Sequence, residues 1–167
     1  MRIIGIDPGY AITGYSVLDY QNDRFHILDY GLISTEAGQP FPDRLLKIDH
    51  GVTAICQKFR PEVMAIEELF FSSNTTTAMG VAQARGVAIV AAARQNVTVY
   101  EYTPMQVKLA ITGYGKAEKV QVQDMVRRIL KLPAIPKPDD VADAIAIAVC
   151  HAHSGNRPDA LAVSGYQ

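Results

Sequence analysis

The chain has 167 residues, 49% of them hydrophobic, and a formal net charge of −1. Length and apolar content suit one domain with a single sizeable core and exclude a disordered chain. No apolar run approaches the roughly 18 residues of a membrane span, and no cleavable apolar segment follows Arg2, so the expectation is a cytosolic protein.

Residues 2–7 (RIIGID) are a short apolar run ending at Asp7-Pro8-Gly9, and they predict a buried strand closed by a turn. Residues 13–20 and 25–34 are rich in β-branched and aromatic residues, with Asn22-Asp23 between them, which predicts a hairpin and an antiparallel meander. Over 40–59, apolar residues recur at helical spacing from Leu45 to Phe59, and Pro61 closes the helix. Residues 62–67 (EVMAIE) read as a fourth strand reached by a parallel crossover.

Residues 69–77 (LFFSSNTTT) predict a loop, and a long helix follows over 75–94. Its small residues, among them Ala78, Gly80, Ala82, Ala84, Gly86 and Ala88, suit either a core helix or a self-association face. A fifth strand is predicted at 97–101, then helices at 103–112, 117–131 and 138–153. The domain thus spans 1–153, and 154–167 read as a polar, poorly ordered tail. The fold class is α/β, a five-stranded mixed sheet flanked by helices.

Cys56 and Cys150 stand far apart and make neither a disulfide framework nor a zinc site, so both read as small apolar fillers. The four histidines read as structural or surface groups. Charge is uneven: residues 1–84 carry six Lys/Arg against ten Asp/Glu, whereas residues 85–131 carry eight against three. Such a basic segment suits either a solvated helix face or a surface for an anionic partner.

The acids carry the chemistry. Asp7 ends an apolar strand with no charged neighbour in sequence. Glu67 and Glu68 end the fourth strand, and parity alone does not choose between them because 63–66 are apolar throughout. Asp139, Asp140 and Asp143 open the last helix, where acids are favoured by the helix dipole. Asp143, however, lies one turn in beside apolar positions, and it shares a face with Asp140. Acids at the ends of three elements, without sulfur, are how a site for Mg²⁺ or Mn²⁺ is built. Two such ions suit phosphodiester hydrolysis. No phosphate-binding loop and no nucleophile elbow is present.

Taken together, GIDPG (5–9), AIEE (65–68), AQARGVAIV (82–90), KAEK (116–119) and DDVADAIAIA (139–148) make the chain resemble the RuvC family of Holliday junction resolvases, nearly to residue 153. The resemblance implies a ribonuclease H-like fold. It implies a homodimeric, Mg²⁺-dependent endonuclease that resolves four-way DNA junctions in recombination and repair by paired symmetric nicks. The ends left are a 5′-phosphate and a 3′-hydroxyl. Two ions per site are implied, with Mn²⁺ able to substitute. Residue by residue, the family's acidic site falls on Asp7, Glu67, Asp140 and Asp143. Phe70 stands where the family places an aromatic against an unstacked base, and Arg85, Lys108, Lys116 and Lys119 fit as backbone contacts. RuvA and RuvB, the branch-migration proteins, are the implied partners. Three rival readings are a ribonuclease H-like nuclease with another substrate, an actin-like ATPase, and a non-catalytic junction-binding module. For the ATPase the chain is too short to hold two copies of its duplicated domain.

Overall fold

The computed structural model describes residues 1–69 and 75–154. Ile3, Ile4 and Ile6 have no exposed surface, and they make β1 (Arg2–Asp7) the centre of a five-stranded sheet of order β3-β2-β1-β4-β5. β2 (Ile12–Gln21) and β3 (Arg24–Ser34) complete the antiparallel meander. Asn22 and Asp23 both take positive φ at its two-residue turn, the twist that a tight hairpin needs. β4 (Val63–Glu67) lies parallel to β1, and β5 (Thr98–Tyr102) lies parallel to β4.

Helices cover both faces. α1 (Phe41–Phe59) starts on Pro40 and Pro42 and stops at Arg60, which takes a left-handed conformation ahead of Pro61. It packs with α2 (Thr75–Arg94) over Ile4, Ile6, Met64 and Ile66. α3 (Pro104–Thr112) opens with a capping box, Thr103 accepting from the Gln106 amide while the Gln106 side chain accepts from the Thr103 amide. α3, α4 (Lys119–Ile129) and α5 (Asp139–Ser154) share the opposite core with Ile3, Leu18, Val63 and Ala65.

α5 is buried almost throughout from Val141 to Ala152. It lies on β1 and β2 because two glycines let it approach. A Cβ at Gly5 would overlap the Ala144 carbonyl, and one at Gly14 would overlap the Asp140 carbonyl. Ser16 Oγ donates to the Ala144 carbonyl at 3.0 Å and ties the same turn down. The N-terminal end of α5 is thereby seated beside the C-terminal end of β1.

Observed strands and helices fall within two residues of the expected bounds, and α5 reaches Ser154, one residue into the expected tail. The rest of that tail, and Phe70 with its expected base contact, lie outside the described residues. Cys56 and Cys150 are buried free thiols, as expected of apolar fillers.

Candidate active site

Three elements bring their ends to one place. β1 and β4 are parallel neighbours with Ile6 opposite Ile66, so Asp7 and Glu67 end adjacent strands at the same edge. Val63 and Ala65 pack on the α5 side while Met64 and Ile66 pack on the other. Alternation then puts Glu67, not Glu68, on the α5 face. Parity had been silent only because the sequence does not say which face α5 covers. Asp140 and Asp143 enter from the first turns of α5.

The acids act on one another. Burial, then the charges of Glu67, Asp143 and Asp140, push the Asp7 carboxyl up to about 8. Burial and Asp143 raise Glu67 as well. Asp143 is raised by burial although Lys119 opposes the shift. Lys119 Nζ lies 2.7 Å from Asp143 and 3.6 Å from Asp139. Burial works against the Lys119 charge, but the hydrogen bond and charge of Asp143, with Asp139 and Asp7, hold its pKa above the ordinary value.

Among the described residues no three acidic, thiol or imidazole groups close around one point as a finished metal cage. The donor set nonetheless fits a hard divalent cation. All four donors are carboxylates, and burial among the other acids pushes Asp7 up to about 8, an environment that a divalent cation would relieve. Beside them opens a cavity of about 230 Å³, lined by Glu67, Val107, Lys108, Lys119, Asp143 and Ile147.

Of the expected backbone contacts, Lys108 and Lys119 therefore sit at the acids, and Lys116 is exposed on the loop before α4. Arg85 is differently placed. It pairs with Glu101 and donates from Nε to the Glu67 carbonyl at 3.1 Å. Sequence reasoning missed both that pair and a second one, the 2.7 Å hydrogen bond between the Tyr102 hydroxyl and His151 Nδ1. Glu101, a lone acid inside a short strand, was the available signal for the first. His151, inside the most apolar helix, was the signal for the second.

The family description of the crossover junction endodeoxyribonuclease RuvC matches residues 3–151. The chain belongs to the RuvC family. The RuvC of Ruminiclostridium cellulolyticum is 55% identical over 154 residues, covering 92% of this chain and 93% of its own. That of Alkaliphilus metalliredigens is 54% identical over 156 residues, covering 93% and 95%. Thermus thermophilus RuvC in complex with a Holliday junction substrate superposes with a TM-score of 0.88 at 39% identity, covering 92% of this chain and 94% of that one. The yeast mitochondrial Holliday junction resolvase shares the fold, with a TM-score of 0.64 at 15% identity, covering 91% and 79%. The RuvC-family assignment agrees with the fold expected from the sequence, a five-stranded mixed sheet with helices on both faces.

Proposed function

We propose that this chain resolves four-way DNA junctions by metal-dependent phosphodiester hydrolysis, with Asp7, Glu67, Asp140 and Asp143 as the ligand set. The observation that carries the reading is the gathering of these carboxylates at one sheet edge, on the scaffold of a RuvC-family nuclease, with Asp7 pushed up to about 8. Binding a polyanion gives no reason to gather acids, so a passive junction-binding module does not explain them.

Mg²⁺ or Mn²⁺, two ions per site, would supply an activated water and offset charge on the leaving 3′ oxygen. The chain's own residues do the rest. Asp7, central to the cluster, would be the ligand shared with the acids on either side. Glu67 and Asp140 flank it from β4 and α5. Asp143 would help to hold the cation, and its ion-pair partner Lys119, an ammonium beside the acids, would face the scissile phosphate. Lys108 and Lys116 extend the basic rim toward neighbouring phosphates, and Phe70 stacks on a base at the junction centre. The ends left are a 5′-phosphate and a 3′-hydroxyl.

Paired nicks need two sites related by a two-fold axis. The outward side of α2, with Met79 and Val90 exposed, meets Leu46 of α1 along an apolar groove of about 660 Å³. A second copy of the chain is the occupant of this reading. RuvA and RuvB are its partners on DNA, in the cytoplasm beside the chromosome.

The test is cleavage of a mobile four-way junction against matched linear duplex, with and without Mg²⁺. Symmetric nicks on the junction alone, and only with metal, support the reading. Equal cutting of both substrates makes the chain a less selective nuclease, and binding without nicks makes it a junction-binding module.

A further inference from the structure

Glu67 is the last residue of β4, and the peptide that follows it stands where the strand stops. That peptide is nevertheless fixed at both ends. Its N–H, on Glu68, donates to the Tyr102 carbonyl at 2.9 Å. Its C=O, on Glu67, accepts from Arg85 Nε at 3.1 Å. The second bond comes from across the sheet. Ala84 and Ala88 bury α2 against the face opposite α5, and Arg85 stands at the flank of that buried stripe. Glu101 pairs with Ile66 in the β4–β5 register, and Val99, two residues earlier, packs on the same α1–α2 side. Its carboxylate is 14% exposed and takes the Arg85 guanidinium, itself 16% exposed, as ion-pair partner.

We propose that Arg85 is a positioning residue for Glu67, with Glu101 holding the guanidinium in place, and that it is not a phosphate contact. The inference rests on the reading of Glu67 as a metal ligand. One arm of a rigid guanidinium reaches a strand-end carbonyl while the other is anchored on the next strand, a task that needs a planar fork. The plane of the peptide after Glu67 sets the direction in which its side chain leaves the strand. Releasing that plane lets the ligand carboxylate wander from the place where Asp7 and Asp143 meet it. The Arg85 charge is already offset by Glu101 and lies behind the sheet from the acids, so little of it is left for DNA.

The test uses the full-length protein and four variants: Arg85→Met, Arg85→Lys, Glu101→Gln, and Arg85→Met with Glu101→Leu. Three quantities are read. These are Mn²⁺ affinity of the DNA-free protein by electron paramagnetic resonance, the Mg²⁺ concentration at half-maximal nicking, and metal-free junction affinity against salt. Arg85→Met and the double variant weaken Mn²⁺ binding and raise the Mg²⁺ requirement by about 10- to 100-fold, with junction affinity and salt slope unchanged. Arg85→Lys, which keeps the ion pair and loses the fork, falls between them and wild type.

The opposite pattern overturns the inference. It is a wild-type Mg²⁺ requirement with weaker junction binding and a salt slope lower by about one. Tighter junction binding in Glu101→Gln, from a freed guanidinium, overturns it equally. The double variant leaves no unpaired buried charge and keeps the measurement possible if Arg85→Met alone does not fold. Wild-type nicking without any divalent ion would instead overturn the metal reading, and the inference with it.

Discussion

Asp7 shows most sharply what the site asks of one residue. Its neighbours are acids, its surroundings are apolar, and its carboxyl is pushed up to about 8. A carboxyl whose folded pKa exceeds its unfolded value stabilises the fold at low pH and ceases to do so as pH rises through the folded value. Metal-free protein should therefore lose stability between about pH 4 and pH 8. Asp7→Asn removes that loss. At pH 8 without metal its unfolding midpoint should lie above that of wild type, by roughly 2–4 °C for each kcal/mol relieved. Calorimetry in chelator checks it, and an unchanged or lowered midpoint contradicts it. Such a variant should be more stable and inactive, the usual trade at a site built for function. Asp7 and Glu67 were legible in the sequence because apolar runs end in them, and Asp143 because it lies among apolar positions one turn into a helix. The partners of Arg85 were not, because nothing in local sequence ties it to Glu101.

At the scale of elements, the seating of α5 decides where Asp140 and Asp143 stand. Gly14 is the contact to break. Its replacement by Ala sets a methyl group against the Asp140 carbonyl, and overpacking of this kind costs about 1–3 kcal/mol. Gly14→Ala should also raise the Mg²⁺ requirement for nicking, because the helix that carries two of the proposed ligands is displaced. Wild-type stability and metal requirement together would show that α5 is seated by other contacts.

The far end of α5 is pinned by His151, fully buried, with its Nε2 unpartnered among the described residues. Burial lowers its pKa to about 4. A histidine held neutral in this way stabilises the fold above its unfolded pKa and loses that contribution as pH falls from about 6.5 to about 4. Wild type should lose on the order of 3 kcal/mol more than His151→Gln across that window in urea titrations. Equal losses would mean that His151 does not titrate there.

Strand and helix bounds were readable from period and punctuation, since Asn22-Asp23 and Pro61 are local signals. The choice of Glu67 over Glu68 was not readable from parity, because it depends on which face a helix some seventy residues later covers. The Tyr102–His151 bond was hidden for the same reason, its partners lying 49 residues apart.

For the whole molecule, α2 bears out its reading as a core helix and leaves its other side for the proposed second copy. Ala84, Ala88, Ala91 and Ala92 bury one side in the core, and Met79, Gly86 and Val90 leave the other side open. Small residues serve the first side, and the apolar groove beside α1 belongs to the second. Leu46→Glu with Val90→Glu should turn a dimer into a monomer by light scattering, and coupled nicks into single, independent ones. A wild type that is already monomeric at working concentration would contradict the two-fold arrangement. The domain's uneven charge also matters at this scale. A net charge of −1 conceals a basic stretch from Arg85 to Lys131, and it is local surface rather than net charge that meets DNA.

A catalytic metal held by these carboxylates separates binding of the junction from its cleavage. The most direct measurement places wild type and Asp7→Asn side by side on one four-way junction in Mg²⁺, recording binding and nicking together. Binding should persist or tighten, since a potential negative charge facing the phosphates is gone, and nicking should fall by about a thousandfold or more. Loss of binding with loss of nicking, or nicking that survives, would contradict a catalytic metal held by these carboxylates.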